Sequence, residues 1–419
     1  MAASDKQPGR GTVFAPQSSA QVVEAVAWAA AEGEPLEVVG RGSKRALGRP
    51  VQAAHSLDLA RLDGITLYEP EELVLSARAG TPLATIEAAL DEQRQMLAFE
   101  PADLGPLLGG AAGEASIGGV LACNLAGPRR IKAGAARDHF LGFVAASGRG
   151  ELFKSGGRVV KNVTGYDLCK LLSGSYGTLA VMTEVTVKVL PRPEKTYTVL
   201  LLGLDDAMAG EAMRRALGSP HEVSGAAHLP AALAARSAVS YVAGAGGAVT
   251  ALRLEGPGPS VEYRCAALRR ELGGLGPTEE LHSQNSLAFW RELRDVRPFA
   301  GGEMTAVWRL SVAPTAGPGV VAAIGPEALG GEAFYDWGGG LVWLSLPLNG
   351  AGDAGTAEVR AAVAAAGGHA TLVRAPLELR AAAPVFQPQD AATAALTRRV
   401  KDGFDPRRIL NPGRMYAGV

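Results

Sequence analysis

Three stretches of the chain carry residue types and spacings that could hold a phosphate-bearing ligand. Gly40-Arg41-Gly42-Ser43-Lys44 follows a short apolar run, Leu36–Val39. Glycines placed after a strand let backbone N–H groups close on an anion. There is no G-x-G-x-x-G, and the residues through Arg49-Pro50 do not open a helix. The loop is therefore neither a Rossmann fingerprint nor a Walker loop. Alone, it reads better as a plain glycine turn. The second stretch, Ala115 to Gly127, sets Ser116, Ile117 and the paired Gly118 and Gly119 at a helix start, with Asn124 as a further donor. A diphosphate could lie on such a backbone; tight packing through small residues fits as well. The third is Lys161-Asn-Val-Thr-Gly165-Tyr166-Asp167, followed by Gly174-Ser-Tyr-Gly177 and Thr183-Glu184. Its turn residues and polar donors could hold a stacked ring and a phosphate. Taken alone, Tyr166 is more often a core tyrosine with a satisfied hydroxyl.

Elements that could position these stretches follow from periodicity. Ser18 and Ser19 can cap a helix with Val22, Val23, Val26, Ala27 and Ala30 at helical spacing, ended by Gly33. Strands are expected at Leu36–Val39, Ile65–Tyr68 and Leu73–Ala77. Thr81 as N-cap with Pro82 at N1 predicts a helix whose stripe is Leu83, Ile86, Ala89 and Leu90. Phe140–Ala146 and Glu151–Lys154 flank Ser147-Gly-Arg-Gly150 as a hairpin. A short helix is expected over Tyr166–Leu172. Val181–Leu190 alternates as a strand before Pro191-Arg-Pro193. Residues 194–375 read as strands, Ala-rich helices and glycine turns without a signature. Arg380 to Thr397 reads as loop, then helix, and Phe404 to Arg414 as a compact turn.

Composition narrows the classes. The 419 residues suggest two to three domains, and 47% apolar with 20% charged residues excludes a disordered chain. Glycine is abundant, 54 residues, without a G-X-Y period. A net charge of −1 argues against a general polyanion binder, but Gly119–Lys195 holds 12 Lys or Arg against 5 Asp or Glu. That local basic stretch fits a phosphate-bearing cofactor or an acidic partner. Cys123, Cys169 and Cys265 are far apart and form no C-x-x-C, so neither an iron–sulfur cluster nor a structural zinc is expected on this chain alone. The N-terminus lacks an apolar signal region, and no run is long enough to span a membrane. The expected location is the cytoplasm, with any membrane contact peripheral, on the inner face of the plasma membrane.

In combination the motifs resemble one family. The order is a glycine loop, an Ile-Gly-Gly helix start, Arg137-Asp138 before a Ser-Gly-Arg-Gly hairpin, Lys-Asn-Val-Thr-Gly-Tyr-Asp, and Gly-Ser-x-Gly-Thr-Leu. It resembles the FAD-binding domain of the vanillyl-alcohol oxidase / p-cresol methylhydroxylase (PCMH-type) flavoproteins over residues 10–193, and Asn411-Pro-Gly-Arg414 belongs to the same pattern. Val159–Glu184, Gly367–Thr371 and Phe404–Tyr416 are closer still to the FAD-binding subunits of bacterial glycolate oxidases (glycolate dehydrogenases). The resemblance implies an α+β architecture. A flexible tail (1–9) precedes a PCMH-type FAD domain of two subdomains (10–193). An α+β cap or substrate domain (194–380) follows, and a C-terminal segment (381–419) returns to the FAD domain.

The same resemblance implies function and site residues. The pyrophosphate would lie on Gly40, Arg41, Gly42, Ser43 and Lys44. Ser116, Ile117, Gly118, Gly119 and Asn124 would form a second cradle. Gly165, Tyr166 and Gly177 would lie near the cofactor, Thr183 and Glu184 would close the site, and Asn411 and Arg414 would reach back to the flavin. Many relatives tether FAD through a histidine in the first loop; here the nearest is His55, so non-covalent FAD is expected. Glycolate would be oxidised to glyoxylate beside a related FAD-containing catalytic subunit and an iron–sulfur subunit, with electrons passing to a quinone. Oxidising an α-hydroxy acid needs a cation for the carboxylate and a proton acceptor. Arg374, Arg380 and Arg414 are candidates for the first and His369 for the second. The metal-binding paired-histidine motif of related 2-hydroxy-acid dehydrogenases is missing, so no metal is expected. Two alternatives stay open: a self-sufficient FAD-dependent 2-hydroxy-acid dehydrogenase, and a non-redox assembly subunit with a decayed FAD site.

Overall fold

A computed structural model describes residues 11–158, 165–301, 304–348 and 353–419. The expected tail and the Lys161–Thr164 part of the third motif lie outside the described residues.

The first region builds two sheets that meet at the glycine loop. β1 (Val13–Phe14), helix α1 (Ser19–Glu32), β2 (Leu36–Val39) and β3 (His55–Asp58) come first. The three strands pair in parallel in the order β1-β3-β2. α1 starts where Ser18 accepts the Gln21 N–H and ends at Gly33, φ 73°. Its buried stripe Val22, Ala25, Val26 and Ala29 packs with Ala146 and Val181 of the neighbouring sheet.

The second sheet follows. β4 (Ile65–Glu69) and β5 (Val74–Arg78) lead into α2 (Leu83–Glu92) and β6 (Gln95–Met96). Short helices α3 (Ile117–Cys123), α4 (Arg130–Ala133) and α5 (Ala136–His139) precede the hairpin β7 (Phe140–Ser147) and β8 (Leu152–Gly156). Then come α6 (Leu168–Leu172), β9 (Ala180–Lys188) and β10 (Leu190–Pro191). The order β4-β5-β9-β7-β8 is antiparallel throughout. α2 and α3 cover one face, where Leu75, Ile86, Val120, Phe143 and Val185 share a core.

Two helix starts differ from the sequence expectation. Pro82, not Thr81, is the N-cap of α2. The Thr81 hydroxyl instead donates to Arg78 O at 2.7 Å and accepts the Gly64 N–H at 3.0 Å, so it fastens the preceding turn. α6 begins at Leu168 rather than Tyr166, because Asp167 caps it by accepting the Lys170 N–H.

The second region is one eight-stranded antiparallel sheet, entered at β11 (Lys195–Leu202). Its further elements are α7 (Asp206–Gly218), β12 (Gly225–Leu229), α8 (Ala231–Ala234), α9 (Ser240–Ala243), β13 (Val249–Gly256), α10 (Gly258–Leu272), β14 (Thr278–His282) and α11 (Ser283–Arg294). They continue through β15 (Thr305–Ser311), α12 (Gly317–Ile324), β16 (Glu332–Asp336), β17 (Leu341–Pro347), α13 (Thr356–Ala365) and β18 (His369–Arg374). The strand order is β14-β11-β13-β12-β16-β17-β15-β18. Strand alternation divides its side chains between two cores. Trp308, Leu310, Val342 and Leu372 pack with residues of α7, α10, α12 and α13. Val307, Phe334, Leu341, Trp343 and Val373 face the other way, toward α11 and toward Leu47, Leu104 and Leu107 of the first region.

The chain end crosses back. α14 (Leu377–Ala382) and α15 (Ala391–Phe404) are followed by a turn that lies along β2. Leu36 N–H donates to Ile409 O and Asn411 N–H to Leu36 O. The Asn411 side chain continues the pattern: Oδ1 accepts the Val38 N–H at 2.8 Å, and Nδ2 donates to Tyr176 O at 2.8 Å.

Candidate functional site

A cleft of about 740 Å³ of empty space lies where the two sheets of the first region meet. Its walls are the loop Gly40–Arg45 after β2, Ser116, Gly118 and Gly119 at the start of α3, Tyr176-Gly177, and Asn411 and Arg414 of the chain end. Four segments distant in sequence thus converge because β2 pairs on one side with β3 and on the other with the 409–411 turn.

The cleft is built for an anion. Lys44 has no carboxylate partner among the described residues, and its Nζ donates only to Ser43 Oγ at 3.1 Å. Burial lowers its pKa, against the charges of Cys123 and Asp103. Arg41 keeps its Nε buried without a partner and faces Glu114 at 3.5 Å. Arg414 donates to Lys44 O at 2.8 Å, which holds a second guanidinium at the loop; burial lowers its pKa also. A Cβ on Gly119 would lie 3.2 Å from Ser116 Oγ and 3.7 Å from Lys44 Nζ, inside the space between them. An orphaned buried donor, two cations at one loop and a cradle that a methyl would fill suit a diphosphate. Replacing Lys44 with glutamine is expected to weaken FAD binding about 10- to 100-fold, the loss of one charged hydrogen bond. Quenching of flavin fluorescence on titration measures it.

Other sequence-predicted residues lie off the cleft wall. Ile117 is fully buried behind it in the core with Phe143. Asn124 caps α3 at φ 50°, and its Oδ1 accepts the Arg137 N–H. Gly165 is exposed, and Tyr166 is 91% exposed. Thr183 is buried, its hydroxyl donating to Val144 O and accepting from Ser19. Glu184 sits on β9 opposite Arg78 and Val144. His55 accepts the Thr12 N–H and packs its ring on Trp28, and no histidine lines the cleft.

The three candidate cations and the candidate base separate. Arg414 stays with the cleft. Arg380 is buried against the Gly48 and Ala375 carbonyls. Arg374 is consumed by the Leu107, Phe299 and Thr305 carbonyls and the Thr305 hydroxyl. His369 opens β18 opposite Ser311 and is exposed. Partial desolvation of its ring, then the charges of Arg309 and Arg130, lower its pKa.

A second cavity, about 520 Å³, lies between the first region and the inner face of the eight-stranded sheet. Tyr176 lines both spaces. Its polar lining includes Arg309, Arg294, Asp336 and Thr371, set among Leu125, Leu341, Trp343 and Val373. Register explains the grouping: Arg309 stands between Trp343 of β17 and Thr371 of β18. None of Tyr176, Arg309 and Asp336 is singled out by the sequence. Tyr176 stood within the quoted Gly174–Gly177 turn, Arg309 is the one charge in Thr305–Ser311, and Asp336 precedes Trp-Gly-Gly-Gly.

Residues 11–156 match the family model described as an FAD binding domain. Glycolate oxidase subunit GlcE of Escherichia coli (strain K12) is 38% identical over 401 residues, spanning 95% of this chain and 97% of that protein. The chain belongs to the GlcE family of glycolate oxidase subunits. Glycolate oxidase subunit GlcD of Bacillus subtilis (strain 168) is 27% identical over 191 residues, 45% of this chain and 39% of that protein. The fold is that of p-cresol methylhydroxylase with substrate bound, at a TM-score of 0.66 and 15% identity, over 96% of this chain and 88% of that one. PCMH-type architecture is thereby established, and FAD is the cofactor of this GlcE-family chain.

Proposed function

We infer that this chain is the FAD-carrying subunit of a glycolate oxidase, an FAD-dependent oxidoreductase acting on CH–OH groups. The observation that carries the reading is the cleft itself. Backbone of Gly40–Lys44, the Ser116–Gly119 turn and the Lys44 and Arg414 cations form one anion cradle beside Tyr176. FAD, when bound, supplies the hydride acceptor for the carbon that carries the hydroxyl. The chain's own part is to neutralise the diphosphate through Lys44 and Arg41, and to fix the loop through Arg414. Asn411 locks β2 to Tyr176, so the cleft wall and the second cavity share one rigid element. The histidine-free cleft supports non-covalent binding.

The names of both relatives describe subunits. We place beside this chain a related FAD-containing subunit and an iron–sulfur subunit, with peripheral membrane association through them and electrons passing to a quinone. Among the described residues no helix is long and apolar enough to cross a membrane.

The test is the absorption spectrum of the purified chain after incubation with FAD and gel filtration. A flavin band that stays with the protein and is released on acid precipitation is expected. Loss of all flavin on the column overturns the reading.

A further inference from the structure

The second cavity holds charged groups that the fold leaves unsatisfied. Arg309 makes no side-chain hydrogen bond or ion pair among the described residues; its guanidinium lies 5.1 Å from the Trp337 ring centroid. Arg130, likewise without an ion-pair partner there, lies 4.4 Å from the same ring. One indole therefore holds two cations, of which Arg309 lines the cavity. Asp336 is 2% exposed; Oδ1 accepts the Trp337 N–H at 2.7 Å, and its other oxygen has no partner among the described residues. Trp337 itself takes φ 53°, a left-handed conformation that a bulky residue rarely adopts, followed by Gly338 at 68° and Gly339 at 96°. Such backbone persists where its surroundings impose it, and it recurs at functional sites.

An unpaired guanidinium and a half-satisfied carboxyl in a mostly apolar space weaken the fold. A ligand offering both a carboxylate and a hydroxyl satisfies both groups. We propose that this cavity is a small-carboxylate site of this chain itself, in which Arg309 takes the carboxylate of a short 2-hydroxy acid and Asp336 faces its hydroxyl. The proposal rests on the cleft being the FAD site, since Tyr176 joins the two. Arg309 presents the planar fork that matches a carboxylate through two parallel N–H···O bonds.

Asp336 makes binding depend on pH. Burial raises its carboxyl to about 7, opposed by the Trp337 N–H and by Arg253 of β13, and assisted by Glu100 of the segment after β6. Arg309 and Arg294 line the cavity with Asp336, and Arg130 and the titratable His369 lie within electrostatic reach of Arg309. The protonated carboxyl donates to the ligand, whereas the ionised form repels its carboxylate. Affinity is therefore expected to fall about tenfold between pH 6 and pH 8.

The test is calorimetric titration of the full chain, with and without FAD, using oxamate, a two-carbon carboxylate without an oxidisable C–H. The wild type is expected to bind. Arg309→Gln is expected to bind at least 30-fold more weakly while retaining flavin. Asp336→Asn keeps an acceptor for the Trp337 N–H and is expected to bind with the pH slope abolished. Equal affinity in Arg309→Gln, no oxamate binding by the wild type, or an unchanged slope in Asp336→Asn overturns the proposal. Should Arg309→Gln fail to fold, the slope in Asp336→Asn decides. Arg309-dependent oxamate binding by a chain that takes up no FAD would sink the cofactor reading and leave the carboxylate site standing. FAD uptake without oxamate binding would do the reverse.

Discussion

Replacing Glu100 with glutamine is expected to destabilise the protein by about 3–5 kcal/mol, the usual cost of breaking a buried ion pair from one side. Glu100 takes both terminal nitrogens of Arg253, at 2.8 and 3.0 Å. It also accepts the Arg129 N–H at 2.5 Å. Arg129 reaches on to Glu255, with Nε at 3.0 Å and Nη2 at 2.8 Å. Two arginines and two glutamates thus cancel inside the boundary between the regions: Glu100 and Arg129 belong to the first, Arg253 and Glu255 to β13. Arg253 is 1% exposed and packs on the Trp290 ring at 4.7 Å, so loss of Glu100 leaves its charge in a dry site. Thermal melting measures the loss, and a change below about 1 kcal/mol would place the pair among weak surface bridges. The double variant with Arg253→Gln is expected to recover part of it.

The same cluster sets an acid limit. Burial would raise the Glu255 carboxyl, but Arg253 and Arg129 hold it at about 2; the same arginines hold Glu100 below its ordinary range against the same penalty. Both folded-state values lie below the unfolded value near 4.3. Their contribution is complete above pH ~4.5 and is lost as pH falls toward 2.

Replacing Lys401 with methionine is expected to cost a similar ~3–5 kcal/mol and to loosen flavin binding as well. Lys401 and Asp405 are both fully buried, 2.8 Å apart. The ammonium also donates to Thr178 O at 2.6 Å and Leu410 O at 2.9 Å. Asp405 accepts the Ile409 and Leu410 N–H groups. This pair folds the end of α15 into the turn that lies along β2, and so sets where Asn411 and Arg414 stand. Methionine fills the volume but leaves the Asp405 charge buried. Melting temperature and FAD affinity should therefore fall together in Lys401→Met, whereas Lys44→Gln should lower affinity alone. Unchanged affinity in Lys401→Met would separate the turn from the site.

Local patterns in the sequence determined the elements around the cofactor. Ser18 and Gly33 bounded α1, alternation marked β9, and glycines marked the loop Gly40–Lys44, because capping, strand period and loop backbone are short-range properties. Resemblance added the family and FAD. Where the candidate charges end up was not written locally. Arg374 and Arg309 are both arginines on strands of one sheet; three carbonyls from two short 3-10 helices and a strand saturate the first, while register beside Trp343 and Thr371 leaves the second facing a cavity. Tyr166 and Tyr176 lie ten residues apart in one motif, yet one is exposed and the other divides two pockets, because only Tyr176 is met by Asn411 from the far end of the chain. Tertiary structure decides such outcomes, since whether a polar side chain is spent on the fold or left for a ligand depends on partners hundreds of residues away.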